Sequence, residues 1–327
     1  MSIQVAVVGY GAAFNRGLYH CNAVKSTEGM SLRAVCDPDP QRREQATRDH
    51  GVKTFAQVDD MLSEDGIDLV VLVTPNHTHF PLAVKALDSG RHVVTEKAMC
   101  LTLQEADRMI EASRQNRCLL SVFQNRRWDR DYLTVREIVQ GGALGDLFQI
   151  DCGVNLFGKP PRGWRRDPHA GGGLLYDWGA HLLDQVVLLV QSEPVDVFAA
   201  TNRRKTGEAD THARVMVRFG DGLLAEVEVS RASWIPRPRW RLWGTRGALL
   251  HQGAGFRLRT DEGEREIAYT APGAPNDYYR NIVAVLEEGA SLLVPPDQVR
   301  RSIAIIEAAL RSDETGASVR LPFQAQR

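Results

Sequence analysis

The sequence predicts an α/β protein with a doubly wound parallel sheet first and an antiparallel sheet after it. Three observations carry this. Runs that are apolar throughout, such as LVVLV at 69–73, alternate with helical stretches over the first third, as parallel strands covered on both faces do. Beyond Phe123 the rhythm changes to short strands with tight-turn signals. A chain of 327 residues also suits two domains better than one. The domains are expected at 1–123 and 124–327.

In order, residues 3–8, 32–36, 69–73, 92–95 and 119–123 read as strands by their Val, Ile and Leu content. Residues 40–50, 80–89 and 103–115 read as the helices between them. Residues 128–139 form a helix stopped by Gly141 and Gly142. A loop rich in Gly, Pro and Arg runs over 158–173, and a long amphipathic helix is expected over 174–190. Residues 195–269 carry strands separated by GDG, GTRG and DEGE turns, and helices over 278–288 and 297–312 close the chain.

Composition excludes several classes of function. Lys plus Arg is 40 and Asp plus Glu is 41, so no basic excess draws nucleic acid or an anionic membrane. The five cysteines are scattered with no CxxC pair, which argues against a disulfide framework or a bound metal and predicts a reducing, cytoplasmic setting. The opening MSIQVAVVGYG lacks the marks of a secretory signal, and no apolar run is long enough for a transmembrane helix.

Chemistry concentrates in two places. VVGYGAAFNRG follows the first strand; Gly9 permits a tight turn and Gly11 lets backbone approach a pyrophosphate, with Ala12, Ala13 and Phe14 completing the turn. Phe14 holds a slot that ordinarily takes Gly or Ala, so Phe14 is expected to pack as a plug and Gly17 to restore close backbone contact. Asp37 ends the second strand, where a carboxylate accepts from ribose hydroxyls and repels a 2′-phosphate; it could equally cap the next helix. NAD is therefore expected over NADP, with Arg42 and Arg43 as the residues that could hold a phosphate. TPNHTH after the LVVLV strand places Thr74, Pro75, Asn76 and His79 in a cofactor-lining turn, His77 and His79 lacking the acidic or third His ligand of a metal site. Glu96 and Lys97 end the following strand at the same sheet edge, and the Lys97–Ala98 peptide is expected to be trans, since cis before a non-proline costs about 2.5–4 kcal/mol.

The second place is GGGLLYDWGAH. Asp177 and His181 are spaced i, i+4 and share a helix face, where a carboxylate can orient an imidazole for proton removal from an alcohol. The preceding GWRRDPH loop offers Trp164 and Arg165 for substrate choice.

Together with QNRRWD at 124–129 and SDETG at 312–316, these motifs resemble the Gfo/Idh/MocA oxidoreductases, and QNRRWD and DWGAH look most like the scyllo-inositol-dehydrogenase-like branch. The resemblance implies a Rossmann domain, a second domain with a large, mostly antiparallel open sheet that serves as an oligomer interface in a homodimer or homotetramer, a nicotinamide cofactor contacted also by Asn125, and a sugar, inositol or sugar-derived substrate. It implies Lys97 at the reacting hydroxyl and Asp177 and His181 as the acid/base pair, while Phe14 and Ala98 depart from the family pattern. Two other readings remain: a transient-redox enzyme that cleaves glycosides and returns its hydride, and a cofactor-binding sensor without turnover.

Overall fold

The structure, a computed structural model, describes residues 2–11, 15–158, 162–203, 205–271 and 277–321. The chain forms two compact units, Met1–Phe123 with Ala274–Arg300, and Gln124–Gly273 with Arg301–Arg327. A single division after Phe123 assigns residues 277–300 to the second unit, whereas these residues pack with the first.

In the first unit, β1 (Ile3–Val8), α1 (Arg16–Lys25), β2 (Met30–Cys36), α2 (Pro40–His50), β3 (Lys53–Phe55), α3 (Val58–Leu62), β4 (Leu69–Leu72), α4 (Asn76–Asp88), β5 (His92–Thr95), α5 (Leu103–Gln115) and β6 (Leu120–Val122) follow one another. The six strands lie in the order β3-β2-β1-β4-β5-β6, and every neighbouring pair is parallel. All four residues of β4 are fully buried, which is why its sequence is apolar without alternation. The strand order reverses direction between β1 and β4, and in such sheets ligands bind beyond the carboxyl ends of the strands at that switch point. Gly9, Asp37, Thr74 and Glu96 all stand there, just after β1, β2, β4 and β5.

The second unit opens with a 3₁₀ turn (Asn125–Trp128), then α6 (Arg130–Gln140), β7 (Leu147–Asn155), a π-turn (Leu175–Gly179) and α7 (Ala180–Leu189). Seven strands follow, β8 (Pro194–Asn202), β9 (His212–Phe219), β10 (Leu224–Ser230), β11 (Trp240–Gly244), β12 (Gly247–Gln252), β13 (Gly255–Thr260) and β14 (Gly263–Ala268). After α8 (Asp277–Glu288) and α9 (Pro296–Thr315) comes the short β15 (Val319–Arg320). These strands build a nine-stranded sheet, β14-β13-β12-β11-β7-β10-β9-β8-β15, antiparallel except where β10 meets β7. One face is the core, with Ile150, Cys152, Val215, Val217, Val227 and Leu242 buried; the alternate residues are more exposed, as the pleat requires.

The amphipathic helix expected over 174–190 is corrected in two respects. Its first turn is a π-turn, and α7 is buried all round, because it packs against β7, β10 and α6 together. Among the described residues no helix is long and apolar enough to cross a membrane. All five cysteines are buried thiols outside any disulfide.

Candidate active site

The glycine turn explains itself residue by residue. Gly9 sits at φ 102°, and a Cβ there would collide with the Val73 carbonyl. Among the described residues, a Cβ on Gly11 would meet nothing within 4 Å. A Cβ on Gly17 would come 2.5 Å from the Gly9 carbonyl oxygen, so α1 closes on the turn at Gly17, as expected. Ala12, Ala13 and Phe14 lie outside the described residues, and with them the plug expected at Phe14.

Asp37 is buried beside this turn. Its Oδ2 accepts from the Tyr10 amide at 2.7 Å and its Oδ1 from the Asp39 amide at 2.9 Å. The helix cap is Asp39 instead, which accepts from the Gln41 amide at 2.9 Å, with Pro40 opening α2. Each Asp37 oxygen keeps a second acceptor site for a ribose hydroxyl. Arg43 donates to the carbonyls of Asp37 at 2.9 Å and Pro38 at 2.8 Å; Arg42 donates to Gln45. These residues fit a nicotinamide dinucleotide: a glycine at 11, where backbone can approach a pyrophosphate, and an oriented carboxylate for the adenosine ribose.

At the ends of β4 and β5 the predicted residues are knit together. The Thr74 hydroxyl accepts from Thr78 at 2.6 Å, Pro75 precedes α4, and Asn76 is its buried first residue, while His77 is exposed. His79 is fully buried, with Nδ1 2.7 Å from the Ala98 carbonyl oxygen and Nε2 2.9 Å from that of Thr74. It therefore reaches a cofactor only through the two segments it joins. Burial lowers its pKa despite both carbonyls, which favour the charged ring.

The Lys97–Ala98 peptide is cis, which corrects the trans expectation. That expectation weighed only the local preference of the peptide. Here Ala98 and Met99 are fully buried and the Ala98 carbonyl is engaged by His79, so the surrounding packing sets the isomer.

Glu96 centres a buried array that the sequence did not announce. Its Oε1 accepts from Arg16 Nε at 2.8 Å, from Arg16 Nη2, and from His20 Nε2 at 2.9 Å; its Oε2 accepts from the Lys97 amide at 3.2 Å. Burial alone would raise this carboxyl, but the His20 hydrogen bond and the charges around it hold it well below the usual carboxylate range. Burial also keeps His20 below its ordinary value. A carboxylate only accepts, so His20 carries its proton on Nε2, and its Nδ1 accepts from the Tyr279 hydroxyl at 2.6 Å. Tyr279 is 259 residues away in the chain, on α8, which is why no local pattern revealed the array.

In the second unit, three glycines prepare the helix. Gly171 and Gly173 take φ 70° and 98°, and a Cβ on Gly172 would come 2.6 Å from the Arg165 carbonyl oxygen. They fold the Trp164–Arg165 loop back on the π-turn, where the Gly173 amide donates to the Arg165 carbonyl at 3.1 Å. Trp164 and Arg165 are half-buried, the guanidinium 4.4 Å from the indole centroid. Asp210 caps the π-turn: its Oδ2 accepts from the Leu174 and Leu175 amides at 2.9 and 3.0 Å. Burial raises its pKa to about 6, against the pull of those amides.

Asp177 is half-buried in the π-turn, and His181 is buried in the first turn of α7. The 3₁₀ turn, which begins with a half-buried Asn125, is tied to this segment. Gln124 contacts His181 Nδ1 at 2.9 Å, Arg127 pairs with Asp184 at 2.7 Å in a buried bridge, and Arg126 stands 4.1 Å over Trp178. The sequence singled out QNRRWD, but Gln124 was not recognised as a site residue; only its place in the motif signalled it.

Residues 3–124 match the family model described as an oxidoreductase family with NAD-binding Rossmann fold, and residues 132–250 match that of the GFO/IDH/MocA C-terminal domain. The chain belongs to the GFO/IDH/MocA oxidoreductase family. It is 29% identical to the uncharacterized oxidoreductase YdgJ of Escherichia coli, over 97% of this chain and 98% of YdgJ. It is 25% identical to the scyllo-inositol 2-dehydrogenase (NADP(+)) IolW of Bacillus subtilis, over 98% and 96%. An NAD-binding protein from Listeria innocua superposes with a TM-score of 0.90 at 29% identity, covering 98% of this chain and 97% of that one. The first unit is thus the NAD-binding Rossmann fold of a GFO/IDH/MocA oxidoreductase, and the array at Glu96 lies within it.

Proposed function

We propose that this oxidoreductase transfers a hydride between a nicotinamide cofactor and a hydroxyl-bearing carbon of an inositol, sugar or sugar derivative. The observation that carries the reading is the buried imidazole of His181, one turn after Asp177 on a segment tied to the 3₁₀ turn through Gln124 and the Arg127–Asp184 bridge. In this reading the bound nicotinamide supplies the redox chemistry. His181 takes the hydroxyl proton, Asp177 assists it, and Lys97 orients the hydroxyl. Trp164 and Arg165 select the substrate. The cofactor contacts assigned to Gly9, Gly11, Ala12, Ala13, Phe14, Asp37, Thr74, Pro75, Asn76, Glu96, Lys97 and Asn125 belong to the same proposal, with His79 acting through its neighbours. The similarity to a scyllo-inositol dehydrogenase supports a polyol. Five buried cysteine thiols outside any disulfide support a cytoplasmic setting, and the exposed alternate residues of the second unit's sheet support a homodimer or homotetramer.

The test is NAD and NADP reduction across inositols, aldoses and sugar acids, followed by single-turnover measurement with the best substrate. His181→Ala should retain NAD binding, since the glycine turn and Asp37 are untouched. Hydride transfer should fall by about 10²–10⁴-fold, the usual contribution of positioned acid–base catalysis. Turnover at the parent rate would remove His181 from its role. Tight NAD binding with no reduction by any substrate would favour the transient-redox or sensor reading.

A further inference from the structure

The structure assigns Gln124 as the residue that decides which ring nitrogen of His181 carries the proton. The inference rests on the reading of His181 as proton acceptor and extends it to a second residue.

Gln124 is buried, and its amide is anchored at both ends. Its Nε2 donates to the Ala180 carbonyl at 3.2 Å. A carbonyl oxygen only accepts, so the nitrogen end of the amide faces Ala180; the flipped amide would set two acceptors against each other. The oxygen end, Oε1, then faces His181 Nδ1 at 2.9 Å. An amide oxygen also only accepts, so Nδ1 must bear the hydrogen. In the neutral ring the lone pair consequently lies on Nε2, the nitrogen that takes a substrate proton. A backbone carbonyl, which cannot change its character, thus dictates the tautomer of the base through one side chain.

Three ties hold Gln124 in register with the helix. Arg127 reaches Asp184 with Nε and Nη2, each at 2.7 Å. The Arg126 carbonyl accepts from Gln185 at 2.6 Å, and the Arg126 guanidinium lies over Trp178. The choice of a neutral amide also matters. A carboxylate in its place would accept the same hydrogen but would give up the Ala180 hydrogen bond, stabilise the imidazolium and raise the pKa of the ring. Gln124 orients without adding charge. It is a positioning residue, because it acts through His181.

The experiment reads the ring directly. Full-length protein labelled with ¹⁵N-histidine is examined by long-range ¹H–¹⁵N correlation, the His181 signals being assigned by their loss in His181→Ala. Above the ring's pKa the parent should show a protonated Nδ1 and an unprotonated Nε2. In Gln124→Met, of similar length but with no acceptor, the neutral ring should populate both tautomers. Hydride transfer should fall about tenfold, the scale of one hydrogen bond, with NAD affinity unchanged. In Gln124→Glu the Nδ1–H tautomer should persist, and the acidic limb of kcat/KM should move to higher pH. A parent spectrum with Nε2 protonated overturns the assignment, as does a Gln124→Met ring that keeps its tautomer. If Gln124→Met does not fold, Gln124→Glu decides alone: an unmoved pH limb and an unmoved His181 titration overturn the inference. If His181→Ala turns over normally while the parent shows Nδ1–H, the proton-acceptor reading fails and the tautomer assignment stands.

Discussion

Asp37 holds two backbone amides and still has acceptor sites to offer, and this double duty decides how cofactor preference should respond to mutation. The Tyr10 and Asp39 amides fix the carboxylate at the end of β2. On the proposed cofactor reading it would be a preorganised partner for ribose hydroxyls and an obstacle to a 2′-phosphate. NAD should bind more tightly than NADP when both dissociation constants are measured at one ionic strength. Asp37→Ala should narrow that gap from the NAD side, weakening NAD by about tenfold or more through the loss of a charge-assisted hydrogen bond. NADP should lose less, because repulsion is removed along with the turn support. Tighter NADP binding by the parent would shift attention to Arg43, whose guanidinium is held against the Asp37 and Pro38 carbonyls. The residues of this turn were legible in the sequence because each meets a local demand. Gly9 answers a positive φ, and Gly17 a close approach to the Gly9 carbonyl. The partners of Glu96 were not legible, because Arg16, His20 and Tyr279 converge on it only through the fold.

Elements show the same division. The strands β1, β4 and β5 were readable because burial on both faces favours Val- and Leu-rich runs without alternation, β4 being apolar throughout. The three-residue β3 and five-residue α3 were not, since they are too short to display a period. The segment carrying Asp177 and His181 misled in another way: the sequence shows their spacing but not the π-turn, which is held by Asp210 from a distant loop. That cap has a pH signature. The folded pKa of Asp210, about 6, lies above its ordinary 3.8, so the fold prefers the neutral acid. Between these values the native state binds more protons than the unfolded chain. The contribution of Asp210 should therefore be most favourable below about 4 and be lost as pH rises through about 6. Asp210→Asn removes this titration. The stability of the parent relative to Asp210→Asn, measured by denaturant unfolding, should decline by about 1–3 kcal/mol from pH 4.5 to 7.5. A constant difference across that range would show that Asp210 is ionised throughout and caps as a carboxylate.

At the scale of the whole molecule, the nine-stranded sheet keeps some large apolar side chains exposed on one face, and what lies on that face is mixed. Phe198 pairs with Met216, and Met216 with Glu226, so these side chains stand on one face beside the charged ladder of Arg214, Glu228 and Arg237. Phe198 is 44% exposed and Met216 42%, while their strand neighbours Val197, Val215 and Val217 are essentially buried on the other side. An apolar stripe of this kind within a rim of paired charges suits contact with a second protein surface. A second copy is the partner expected, in a homodimer or homotetramer. Residues 3–124 and 132–250 each match their family model, and this stripe lies within the second. Met216→Arg combined with Phe198→Asp should place unpaired charge at the centre of such an interface. Light scattering coupled to gel filtration should show the parent as an oligomer and the double variant shifted toward monomer at micromolar concentration. The dissociation constant for NAD should stay within about twofold, because both substitutions are at exposed positions outside the glycine turn and Asp37. A parent that elutes as a monomer at every concentration would leave the stripe to another partner. A double variant that keeps the parent's mass would locate the oligomer contact elsewhere on the chain.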